Sequence, residues 1–132
     1  MSHVTIRRGA AGFLAATGAL HLILAPEYLG EKAYIGVLFI IGGVAALAIA
    51  ARLWRTSDRL AWTLGAAAAA GMAVAFVLSR SVGLPGFHPH DWEASGILSV
   101  LIELGFLAAW AVHELRAAPR AGSQAGWRTE RA

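Results

Sequence analysis

Residues 33–53, Ala33-Tyr-Ile-Gly-Val-Leu-Phe-Ile-Ile-Gly-Gly-Val-Ala-Ala-Leu-Ala-Ile-Ala-Ala-Arg-Leu53, decide the fold. No charged residue interrupts them before Arg52. At about 1.5 Å per residue, a helix of this length crosses the roughly 30 Å hydrocarbon core of a bilayer. No strand-like alternation runs through it. In lipid the backbone must satisfy its own hydrogen bonds, so a helix is expected.

Working outward, three more apolar runs appear at 9–25, 60–78 and 94–112. The first is near the lower limit of about 17 residues for a span. Its basic start, Arg7-Arg8, also fits a signal peptide. A retained helix is expected, because cleavage would leave an odd number of spans. The expected fold is therefore all-α: an integral membrane four-helix up-down bundle over residues 1–116. The remainder, 117–132, is rich in Arg, Gly, Ala and Ser and is expected to be a disordered tail.

Composition agrees. Hydrophobic residues make up 58% and charged residues 14%, against about 25% charged in a soluble domain. There is no cysteine, which excludes disulfides, thiolate metal sites and a catalytic thiol.

The net charge of +3 does not point to nucleic acid, because of where the charge lies. Nine of the eleven basic residues (Arg7, Arg8, Arg52, Arg55, Arg59, Arg116, Arg120, Arg128 and Arg131) fall on one side of the expected bundle. Only Lys32 and Arg80 fall on the other. The positive-inside rule then puts both termini in the cytoplasm. The expected location is the plasma membrane, as a multi-pass protein. The lipid bilayer is the first partner. The glycine and alanine faces also suit a homo-oligomer or other membrane subunits.

The connectors between runs differ in character. Pro26 is read as ending the first helix, with Pro26 to Lys32 as a loop. Gly83-Leu84-Pro85-Gly86 reads as a turn. These two loops collect Glu27, Glu31, His88, His90, Asp91 and Glu93, so this end is acidic and the other basic. Tyr28, Tyr34, Trp54 and Trp92 sit where interfacial aromatics sit.

Several words resemble those of a group of small four-span integral membrane proteins of actinobacteria. They are Leu20-His21-Leu22 through Pro26-Glu27-Tyr28-Leu29-Gly30, Tyr34-Ile35-Gly36-Val37-Leu38-Phe39, and Ser79-Arg80-Ser81-Val82-Gly83-Leu84-Pro85-Gly86 with Trp92-Glu93. The resemblance covers about residues 12 to 110. It implies an integral membrane protein and no particular chemistry.

The candidate chemistry is polar residues in apolar surroundings. Glu103 falls near the middle of the fourth run, where a carboxylate needs a partner or a proton. Ser95, Ser99 and Glu103 step by four and share a helix face, as do Thr17 and His21. The first and last helices of such a bundle are neighbours, so His21 and Glu103 are expected to meet inside. Each has a bland alternative: a neutral, hydrogen-bonded side chain that only fixes packing.

Arg80 is expected to pair with Glu93, Glu27 or Asp91 and pin the loop, or else to snorkel. In an extended segment, His88 and His90 point the same way and suit a divalent metal. Zinc needs three or four ligands, so Asp91, Glu93, Glu27 or His21 would have to join. Histidine-rich loops are also commonly just solvated. No phosphate loop, zinc-protease word or nucleophile elbow is present. His21 has only His113 as a partner for a haem, near the opposite surface.

Three functions follow. The first is a pocket of His21, Arg80, His88, His90, Asp91, Glu93 and Glu103, opening outward to bind or sense a cation, proton or small ligand. The second is an accessory or scaffolding subunit. The third is a membrane redox, lipid- or quinone-acting enzyme using His21 and Glu103.

Overall fold

The computed structural model describes residues 1–129, and side-chain surroundings for residues 1–118. Four helices make up the described chain: α1 (His3–Glu31), α2 (Ala33–Arg55), α3 (Arg59–Ser81) and α4 (Ala94–Thr129). All four are long and apolar enough to cross a membrane; in α4 the span lies within Ala94–Ala118.

Local chemistry sets most of the ends. Ser2 caps α1, its hydroxyl accepting from the Thr5 amide at 3.2 Å. Asp58 caps α3, accepting from the Ala61 amide at 2.7 Å. Arg52 and Arg55 lie in the last turn of α2, where cations suit the helix dipole. After α3 the chain turns over Pro85–Gly86. Leu84 and Phe87 exchange backbone hydrogen bonds at 2.8 and 2.9 Å across it. Gly86 adopts φ +64°, a value that favours glycine.

One expected boundary is corrected. Pro26 lies inside α1, which runs on to Glu31. The Lys32 amide then donates to the Tyr28 carbonyl at 2.8 Å and closes the helix. Tertiary anchoring of Tyr28, described below, outweighs the loss of one backbone donor at proline. At the other end, α4 continues to Thr129 through the segment expected to be disordered from residue 117. Ala117, Ala118, Ala121 and Ala125 are strong helix formers. The last part of that expectation, 130–132, lies outside the described residues.

α1 packs most extensively on α2 and also touches α4. α3 packs on α4 and meets α2 least. The close α1–α2 contact depends on glycine: a Cβ on Gly43 would lie 2.9 Å from the Gly18 carbonyl oxygen. The main core sits toward the arginine-rich end, with Trp62, Phe106, Leu14 and Leu53 fully buried. A smaller cluster of Tyr28, Ile35 and Phe87 sits at the loop end. The polar residues lie between and beside these clusters.

Candidate functional site

Two buried polar clusters face the space left where α2 and α3 separate. The first is centred on Arg80, in the last turn of α3, whose side chain is only 3% exposed. Nε donates to the Asp91 carbonyl at 3.3 Å, and Nη1 to Ser79 Oγ at 2.8 Å. Nη2 donates to Tyr28 Oη at 3.1 Å and to Glu93 Oε1 at 3.3 Å. The Tyr28 hydroxyl in turn donates to Glu93 Oε2 at 3.0 Å. Tyr28, Arg80 and Glu93 thus close a triangle between α1, α3 and the start of α4. The guanidinium also lies 4.6 Å from the centre of the Phe76 ring. Of its five N–H groups, one on Nη1 has no protein partner among the described residues.

The second cluster is centred on Glu103, 1% exposed. Thr17 Oγ1 and Ser99 Oγ both donate to Oε1, at 2.9 and 2.7 Å. Oε2 is buried and has no partner. His21 joins from α1: its Nδ1 lies 2.9 Å from the Thr17 carbonyl oxygen. A carbonyl only accepts, so Nδ1 carries the hydrogen and Nε2 of the neutral ring is left as the acceptor. His21 and Glu103 do not bond directly; Thr17 stands between them.

A cavity of about 240 Å³ lies between these clusters. Its walls are mostly apolar, including Leu24, Leu38, Phe39, Met72 and Phe76. The polar residues on its surface include His21, Ser79, Arg80 and Ser99. Leu38, Gly71 and Ala75 line it and are also exposed on the outer faces of α2 and α3. The opening is therefore sideways, between two helices whose outer faces are apolar.

The expected pocket residues separate into groups. His21 and Arg80 line the cavity. Glu93 stands behind Arg80, and Glu103 behind Ser99. Asp91 contributes its backbone carbonyl to Arg80. His88 and His90 do converge, with ring centroids 4.7 Å apart. However, His88 Nε2 lies 3.1 Å from the Ser81 carbonyl oxygen, and both rings are exposed. Among the described residues, no group of three or more His, Asp or Glu is placed to hold a metal ion. The Glu93 carboxylate is taken up by Arg80 and Tyr28 instead.

The sequence marks Tyr28 only as an interfacial residue. Its spacing of seven from His21 puts the two on one helix face, a signal obscured by reading Pro26 as a helix end. Their rings meet Phe39 at 4.3 Å from Tyr28 and 4.8 Å from His21. Trp92 packs edge-on against Phe76 at 5.7 Å, and Arg8 lies over Trp54 at 5.1 Å. Toward the arginine-rich end, His113 stacks on Trp62 at 4.3 Å.

No protein-family model, curated protein or solved structure matches this chain.

Proposed function

We propose that this chain binds a small membrane-soluble amphiphile in the cleft between α2 and α3. The observation that carries the reading is the cavity itself: apolar walls, a polar patch, and an opening toward the outer faces of two candidate spans. An apolar chain enters from the bilayer without crossing water. The head group meets a remaining Arg80 N–H donor and the His21 Nε2 acceptor. A head that both accepts and donates a hydrogen bond, such as a carboxylic acid or a phenol, satisfies both.

A free cation suits this cavity poorly, because the guanidinium of Arg80 lies on its wall. The pair His88 and His90 lies outside it.

The topology in this reading is an up-down bundle in the plasma membrane with both termini cytoplasmic. Two contacts support the arrangement. Arg7 Nη1 reaches the Leu53 carbonyl at 3.4 Å, and Arg116 Nη1 reaches the Met1 carbonyl at 2.9 Å. They put the start of α1 beside the end of α2 and beside α4. The orientation rests on the arginines gathered there. Membership of the small actinobacterial four-span group belongs to the same reading and rests on the sequence words alone.

The test uses protein reconstituted in nanodiscs and brominated oleic acid as a short-range fluorescence quencher. Trp92 touches Phe76 on the cavity wall, so the share of emission lost in Trp92→Phe reports occupancy. Saturable quenching is expected in the wild type. It should be lost in Ala75→Phe, which fills the opening, and weakened for the brominated methyl ester. Equal, unsaturating quenching of the wild type and Ala75→Phe would sink the proposal.

A further inference from the structure

We infer that Glu103 is a proton-exchange site serving the cavity, with the Ser99 hydroxyl as the link between them. Glu103 is 1% exposed, and its Oε2 finds no partner. No Lys or Arg forms an ion pair with it among the described residues. An ionised carboxylate here would be an uncompensated charge in an apolar interior, which costs far more than one unmet hydrogen bond. The resting carboxyl is therefore neutral. The titratable neighbour beside this network is His21 on α1, whose Nδ1 sits on the Thr17 carbonyl oxygen rather than on the hydroxyl that reaches Glu103.

The geometry supplies a route. Ser99 lies on the cavity surface and also bonds to Glu103 Oε1 at 2.7 Å. Thr17 bonds to the same oxygen at 2.9 Å but does not line the cavity. For uptake by the carboxylate, an O–H group or water in the cavity passes its proton to Ser99 Oγ. The hydrogen already on Ser99 moves to Oε1. One proton leaves the cavity, one arrives on Glu103, and Ser99 is unchanged. Release runs the same steps backward once the hydroxyl turns. No electron is transferred, and no further reactant is required.

This inference concerns the same cleft as the ligand proposal and deepens it. Its test uses ligand-free protein, so the two fail separately. Infrared spectra of the reconstituted protein near neutral pH are recorded while the buffer is exchanged to D₂O. A protonated-carboxyl band is expected in the wild type and absent in Glu103→Gln, which keeps an oxygen for both hydroxyls. The band should shift on exchange into D₂O. Ser99→Ala should slow that shift roughly tenfold or more, the scale of a positioned proton-transfer group. Thr17→Val removes the other hydroxyl donor and should leave the rate nearly unchanged. Ser99→Cys serves the same purpose if the alanine variant does not fold. An ionised Glu103, a band that never shifts, or equal slowing by Thr17→Val and Ser99→Ala would each overturn the inference.

Discussion

The Arg80 cluster and the Glu103 cluster are both buried and polar, yet they solve burial differently. Arg80 is enclosed by a carboxylate, two hydroxyls, a backbone carbonyl and an aromatic face. Glu103 has two hydroxyls on one oxygen and nothing on the other. A charge that is paired and hydrogen-bonded can stay ionised when buried; one without a counter-ion takes a proton instead. The Arg80 cluster ties helices together, and the Glu103 cluster is the one free to change its protonation. A third carboxylate, Asp58, lies at the arginine-rich end as a partly exposed counterpart.

The largest effect is expected from Arg80→Ala. It leaves Glu93 and Tyr28 without their central donor, and breaking a buried pair costs about 3–5 kcal/mol. Glu93 is partly exposed, so the lower end, about 3 kcal/mol, is expected in equilibrium unfolding in mixed micelles. A loss under about 1 kcal/mol would show that the triangle is not a structural tie.

Tyr28→Phe sharpens the same point. The ring keeps its contact with Phe39, and only the hydroxyl bridging Arg80 and Glu93 is removed. The expected loss is about 1.5–3 kcal/mol, the usual range for a hydrogen bond involving charged partners.

Glu103→Gln should differ clearly from Arg80→Ala. An amide replaces a neutral carboxyl, its oxygen still accepts from Thr17 and Ser99, and the change should stay within about 1 kcal/mol. A loss as large as that of Arg80→Ala would mean that Glu103 is ionised and structurally paired, and the contrast would collapse.

The smallest effect belongs to Asp58. Its carboxyl is held below the usual range first by the Ala61 amide and then by Arg52, whose Nε lies 2.8 Å away. A depressed folded pKa gives stability that is complete above the unfolded value of about 3.9. It is lost as pH falls through the lower folded value. Asp58→Asn keeps a capping oxygen and should flatten this acid-side dependence with little change at neutral pH. An unchanged pH profile in the variant would contradict this assignment.

Arg80 with Glu93 was one of three pairings open to the sequence; loop length allowed Glu27 and Asp91 equally. The turn at Pro85–Gly86 settled it, by presenting the Asp91 carbonyl and the Glu93 carboxylate to Arg80 from opposite ends of a short segment. The face shared by Ser99 and Glu103 was readable from a spacing of four. That Thr17 stands between His21 and Glu103 was not, because it depends on how far α1 is rotated and shifted against α4. The cavity had no sequence signal. It lies between α2 and α3, the least extensively packed of the neighbouring helix pairs.

By itself, the sequence determined four apolar helices, where most of them begin, and the unequal charge of the segments that join them. Those properties follow from local composition and from a periodicity that needs no partner. The tertiary structure alone decided that Pro26 would be bridged, which carboxylate Arg80 would take, and that one oxygen of Glu103 would stay unpaired. Each of these depends on distances between residues far apart in the chain, set by helix rotation and close packing rather than by the identity of any one residue.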